Sequence, residues 1–177
     1  MRYGWARAAL VCAVLAVAAC NRPASDGASA AADAEALQAA HAFMATNAKA
    51  EGVQSLPQGV QYKIVTSGPT SGVSPDRNDL VRVDYEGSLV DGTIFDSSFE
   101  RGIPAAFRID QVIPGWGDAL SHMHPGDEWI VYVPPERGYG DQDKGEIPPN
   151  SVLIFRLRLL DVAPEPGDAP PPDVGMG

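Results

Sequence analysis

The sequence predicts an α+β fold: an antiparallel β-sheet wrapped around one short α-helix, with a further helix ahead of it. Three observations predict this. Leu80 to Glu86 alternates cleanly, with Val81, Val83 and Tyr85 on one side and Arg82, Asp84 and Glu86 on the other, which is the period of a half-buried strand. Asp91-Gly92 follows, a dipeptide suited to the tight turn of a hairpin. Gly115 to Met123 has helical spacing, with Trp116, Ala119, Leu120 and Met123 at i, i+3, i+4 and i+7. Several strands joined by turns around one helix fit a sheet packed on that helix.

From the N-terminus, residues 1–19 read as an export signal. Arg2 and Arg7 supply a positive start, and Ala8 to Ala19 form an apolar run. That run is too short to span a membrane, which takes about 20 apolar residues. Val17-Ala18-Ala19-Cys20 resembles the bacterial lipobox, which implies that Cys20 becomes the lipidated N-terminus and anchors the chain to a membrane. Asn21 rather than Asp follows it, and by resemblance to sorted lipoproteins this points to the outer membrane, facing the periplasm. Only Cys12 and Cys20 occur, so the exported chain has no disulfide framework and its domain must be held by an apolar core.

Residues 20–32 are small, polar and without pattern, and read as a flexible tether. A helical segment occupies residues 33–55. Leu37, Ala40, His41 and Met44 recur at helical spacing from Asp33 to about Ala50, and Gly52 lies where a helix commonly stops. The globular domain covers residues 56–163, with Val60 to Val65 as its first strand and Glu128 to Val133 and Ser151 to Val162 as later ones. In the last, Leu153, Phe155, Leu157 and Leu159 share a face, while Arg156 and Arg158 point the other way. Residues 164–177 carry five prolines between Pro164 and Pro172 and read as a disordered tail.

Composition narrows the chemistry. The chain has 23 acidic and 13 basic side chains, a formal charge of −10. Loss of residues 1–19 removes Arg2 and Arg7 and no acid, leaving 11 basic side chains against 23 acidic ones, or −12. There is no Lys/Arg cluster to follow a phosphate backbone, so no nucleic acid partner is expected. No phosphate-binding glycine motif occurs. His122 and His124, without a Cys or a third His nearby, make a poor metal site, and no Ser stands in a nucleophile-elbow setting.

What remains is a set of aromatic and apolar residues in four blocks. Val83-Asp84-Tyr85-Glu86-Gly87-Ser88-Leu89-Val90-Asp91-Gly92-Thr93-Ile94-Phe95-Asp96-Ser97-Ser98 is the first, and Gln111-Val112-Ile113-Pro114-Gly115-Trp116 the second. Pro134-Pro135-Glu136-Arg137-Gly138-Tyr139-Gly140 and Ile147-Pro148-Pro149-Asn150-Ser151-Val152-Leu153-Ile154-Phe155 are the third and fourth. In this order they resemble the signature blocks of the FKBP-type peptidyl-prolyl cis–trans isomerases. The junction from Phe43 to Tyr62 is similar to that of the bacterial envelope branch, the macrophage infectivity potentiator type. Those relatives carry a long helical dimerisation arm; the helix here is short, so a monomer is expected.

The resemblance implies an apolar cleft that takes the X-Pro segment of proline-containing polypeptide clients, and is blocked by macrolide inhibitors. It assigns Tyr85, Phe95, Trp116 and Phe155 to the walls and floor, completed by Val112, Ile113 and Ile147. Tyr139 would donate its hydroxyl to a substrate carbonyl. Asp96 would be the polar group at the rim, steadied by Tyr85 and Arg101. The chain departs from the family at Ala105 and Ala106, where an aromatic is common, and Phe107 becomes the expected wall there. The loop from Asp141 to Glu146 lacks the His often found in it. The resemblance implies no metal and no cofactor. The alternative is a non-catalytic chaperone or peptide-binding module using the same cleft, since function resides in the site and not in the fold.

Overall fold

The computed structural model describes residues 24–70 and 72–164, with side chains from residue 29 onward. The expected signal segment, Cys20 and residues 165–177 of the expected tail lie outside the described residues. Among the described residues no helix is long and apolar enough to cross a membrane. The elements are helix α1 (Ala24–Asn47), strands β1 (Val53–Ser55), β2 (Gln61–Thr66), β3 (Leu80–Ser88) and β4 (Ile94–Ser97), the one-turn helix α2 (Ser98–Arg101), strand β5 (Ala105–Arg108), helix α3 (Pro114–Leu120), and strands β6 (Glu128–Val133) and β7 (Leu153–Ala163). This is the expected α+β architecture.

The sheet is antiparallel, with order β1-β2-β6-β7-β3-β4, and β5 also pairs with β3. One face packs on α3. Trp116, Ala119, Leu120 and Met123 meet Val81, Val83, Val131, Val133, Leu157 and Leu159, all buried. Each of the Val, Leu and Met side chains taken from water contributes about 1.5–3 kcal/mol. Gly115 lets the helix lie close, since a Cβ there would stand 2.5 Å from a Val133 methyl. The predicted turn after β3 is present: Gly92 has φ +88°, and the Leu89 N–H donates to the Thr93 carbonyl at 2.9 Å.

Strands β4 and β5 share one edge of β3 and leave a gap between them. β5 pairs with Leu80 to Val83, and β4 pairs with Glu86 to Ser88. At the gap the Tyr85 N–H, lacking a strand partner there, donates to the buried Ser98 hydroxyl of α2 at 2.8 Å. The break therefore opens the sheet edge without orphaning that donor.

Several boundaries differ from the sequence reading. Helix α1 begins at Ala24, nine residues before Asp33, within the segment expected to be a tether. Alanine has the highest intrinsic helix propensity, and an alanine-rich run continues a helix without any apolar stripe to announce it. A short strand, β1, precedes the one expected to be first. Strand β5 and helix α2 are additions, each only four residues long and therefore below the length at which a period can be read. Phe43 and Met44 pack on the chain's own domain: Ala40 and Met44 bury against Val152, with Phe43 near Tyr132. Polar ties reinforce this. Gln61 donates to the Met44 carbonyl at 2.8 Å, Asn150 to the Asp33 carbonyl at 3.1 Å, and His41 pairs with Glu136.

Candidate active site

The gap in the β3 edge opens onto a cavity of about 320 Å³. Trp116, the first core residue of α3, forms its floor, and aromatic rings stand edge-on around it. Tyr85, Phe107 and Phe155 have centroids 5.2, 5.5 and 5.2 Å from the indole, at interplanar angles of 77°, 85° and 85°. Phe95 from β4 packs against Phe155 at 5.8 Å and 84°. Edge-to-face packing lets positive ring edges meet negative faces, so the rings hold one another in place.

The strands explain why these rings converge. Gly87 on β3 stands opposite both Asp96 on β4 and Phe155 on β7. A Cβ at Gly87 would lie 2.5 Å from the Phe95 ring and 2.8 Å from the Phe155 ring, so glycine is what allows both to close over the strand. Val112 and Ile113, between a 3₁₀ turn (Ile109–Gln111) and α3, line a second side with Gln111. Tyr139 and the buried Ile147 line a third. Among the described residues no side-chain hydrogen bond engages the Tyr139 hydroxyl, and Lys144 lies over its ring at 5.5 Å.

The charged groups sit together at the rim. The Tyr85 hydroxyl donates to Asp96 Oδ2, Arg101 pairs with Asp96 Oδ1, and Arg101 Nη2 donates to the Tyr85 hydroxyl at 3.0 Å. Burial would raise the Asp96 carboxyl, but the hydrogen bonds from Tyr85 and Arg101 and the guanidinium charge outweigh it and hold it below the ordinary 3.8. Burial, followed by the bond to the Asp96 carboxylate, pushes the Tyr85 hydroxyl above 10.0. The three groups thus stay charged, neutral and charged across the physiological range.

All ten cleft residues singled out in the sequence line this one cavity: Tyr85, Phe95, Asp96 and Phe107; Val112, Ile113 and Trp116; Tyr139, Ile147 and Phe155. Gln111 is an addition; it opens the second signature block and could have been included on that ground. His122 and His124 face different partners, the Asp118 carbonyl at 2.8 Å and the Ser74 hydroxyl at 3.3 Å. Among the described residues no group of three or more His, Cys, Asp or Glu gathers to hold a metal.

The family model described as FKBP-type peptidyl-prolyl cis-trans isomerase matches residues 72–160, and the one described as the domain amino terminal to it matches residues 15–64. The chain is 48% identical over 122 residues to peptidyl-prolyl cis-trans isomerase Mip of Coxiella burnetii, covering 68% of this chain and 52% of that protein. It is 45% identical over 122 residues to outer membrane protein MIP of Legionella longbeachae, with the same coverage. The chain spans about half the length of these curated relatives. Among solved structures, FkpA from Escherichia coli superposes with a TM-score of 0.74 at 37% identity, covering 80% of this chain and 66% of that one. A peptidyl-prolyl cis-trans isomerase from Pseudomonas syringae superposes at 0.69 and 37% identity, covering 73% of this chain and 95% of its own. With four motif blocks folded into one aromatic cleft and these matches, the chain belongs to the FKBP-type peptidyl-prolyl cis–trans isomerase family.

Proposed function

We propose that this protein accelerates cis–trans isomerisation of X-Pro bonds in polypeptide clients of the bacterial envelope. The observation that carries the reading is the cleft itself: a box of mutually packed aromatic rings with a single hydrogen-bonded polar edge, Tyr85–Asp96–Arg101. Resonance sets a barrier of about 18–20 kcal/mol to rotation about a peptide C–N bond. For X-Pro both isomers are populated, but exchange takes tens to hundreds of seconds. The planar amide is the more dipolar form and gains more from water than the twisted one. An apolar pocket removes that water and so favours the twisted state. Shape complementarity to the twisted form adds to the effect.

Each residue then has a task. Trp116 floors the prolyl ring, with Val112, Ile113 and Ile147 beside it. Phe95, Phe107 and Phe155 exclude water from the amide. Tyr139 donates its free hydroxyl to a substrate carbonyl, and Asp96 presents a fixed negative charge at the rim. Lowering the barrier by about 6–8 kcal/mol corresponds to roughly 10⁴- to 10⁶-fold acceleration. No nucleophile is formed in this scheme, and no cofactor or metal takes part in it. The anchor at Cys20 would place the domain at the outer membrane facing the periplasm, as a monomer.

The test is exchange of an X-Pro peptide with the purified chain, with and without chelator. Acceleration that chelator leaves unchanged and a macrolide of the family's inhibitor type abolishes is the expected result. Binding of unfolded polypeptide with only spontaneous exchange would replace this reading with that of a chaperone. Mass spectrometry of the native protein is expected to find Cys20 lipidated at the N-terminus, and an unmodified Cys20 would remove the anchor.

A further inference from the structure

Helix α2 is a single turn, too short to be stable by itself because a first turn fixes several residues for one hydrogen bond. It nonetheless carries Arg101, the cation of the cleft rim. Its start is secured by Ser97, whose hydroxyl accepts from the Glu100 N–H at 3.2 Å, and by the buried Ser98 against β3. Its end turns at Gly102, φ +66°, whose N–H donates to the Phe99 carbonyl. Residues two apart on a helix point about 200° apart, so the side opposite Arg101 is the side of Phe99.

Phe99 lies on a charged platform on the sheet face away from α3. The Arg156 and Arg158 guanidinium carbons stand 4.8 and 5.5 Å from its ring centroid. Two cations over one ring would repel each other, but both bind one carboxylate: Arg156 Nε is 2.7 Å from Glu128 Oε1, and Arg158 Nη2 is 2.7 Å from Glu128 Oε2. The Glu128 side chain is 7% exposed. On β3, Asp84 stands opposite Arg158 and Glu86 opposite Arg156, and these acids accept weakly from the Ser98 and Ser97 hydroxyls.

We propose that Phe99 is a positioning residue of the cleft: clamped on the Arg156–Glu128–Arg158 platform, it locks α2 so that Arg101 stays on Asp96 and Tyr85. The inference rests on the isomerase reading for its effect on rate, but the placement of Arg101 can be measured without it. The critical comparison in the full chain is Phe99→Leu, which keeps an apolar side chain but removes the ring face, against Phe99→Tyr, which keeps the face.

Phe99→Leu is expected to loosen Arg101 and to move the Asp96 carboxyl midpoint, followed by ¹³C NMR, up toward 3.8. The groups facing that carboxyl, Tyr85 and Arg101, are not themselves altered by the substitution. It is also expected to lower kcat/KM by about two- to five-fold, the size of one exposed cation–π contact. Phe99→Tyr restores both readouts. In an Asp96→Asn background Phe99→Leu causes no further loss, because the group it positions is gone. A folded Phe99→Leu variant with an unmoved Asp96 midpoint overturns the proposal, as does an undiminished loss in the Asp96→Asn background. If Phe99→Leu does not fold, the exposed change Arg156→Gln carries the same measurement. If the wild type lacks isomerase activity, the Asp96 midpoint alone decides, so failure of the function and failure of the positioning role remain distinct.

Discussion

The cleft separates residues that exclude water from those that form hydrogen bonds, and the two kinds predict different losses. Phe95 and Phe155 wall the amide and pack on each other at 5.8 Å. Phe95→Ala or Phe155→Ala admits water and is expected to lower kcat/KM by more than ten-fold. Tyr139→Phe removes one hydrogen bond, whose net worth of about 0.5–1.5 kcal/mol corresponds to roughly two- to ten-fold. A larger loss from Tyr139→Phe than from either alanine would mean that hydrogen bonding, not desolvation, dominates. Asp96 gives a pH test. Its carboxyl is depressed when folded because bonds from Tyr85 and Arg101 and the guanidinium charge outweigh burial. A depressed carboxyl contributes stability that is present above the unfolded value and is lost as pH falls through the folded one. The profile of kcat/KM is therefore expected to be flat with respect to this group over roughly pH 5 to 8. A decline centred within that range and abolished by Asp96→Asn would contradict the ion-paired rim.

At the scale of elements, the site depends on a defect in the sheet. Because β4 and β5 divide one edge of β3, the chain can step away at α2 and return, leaving the cleft between them. Closure over β3 depends on Gly87, where a Cβ would stand 2.5 Å from Phe95. Gly87→Ala is expected to force the rings apart at an overpacking cost of about 1–3 kcal/mol. Differential scanning calorimetry should show Tm lowered by roughly 3–10 °C, with a parallel loss of isomerase activity. An unchanged Tm with full activity would mean that the rings shift freely and that the close approach is incidental.

For the whole molecule, the docking of α1 bears on assembly. The helix uses Ala40, Met44 and Phe43 on its own domain, so the edge that holds them is already covered. Light scattering on the lipid-free chain from residue 21 onward is expected to give single copies at micromolar concentration. A stable dimer would require another face of α1 or of the domain.

Much of this protein was determined by its sequence alone. The alternation of Leu80 to Glu86, the Asp91-Gly92 turn and the Trp116–Met123 spacing are local patterns, and local patterns fix which face of an element is apolar. Nine of the ten cleft residues were legible because four motif blocks carry them in order, from Tyr85 to Phe155; Phe107 lies between the first and second blocks and was read from its place beside Ala105 and Ala106. The tertiary structure decided what depends on neighbours distant in the chain. The Ala24–Asn47 helix starts early because alanine propagates a helix without showing a period. Strand β5 and helix α2 are too short to announce themselves and exist because β3 offers an unpaired edge. The role of Phe99 was hidden for the same reason: its partners, Glu128, Arg156 and Arg158, lie 29 to 59 positions away, and only the register of β6 against β7 brings their charges together beneath one ring.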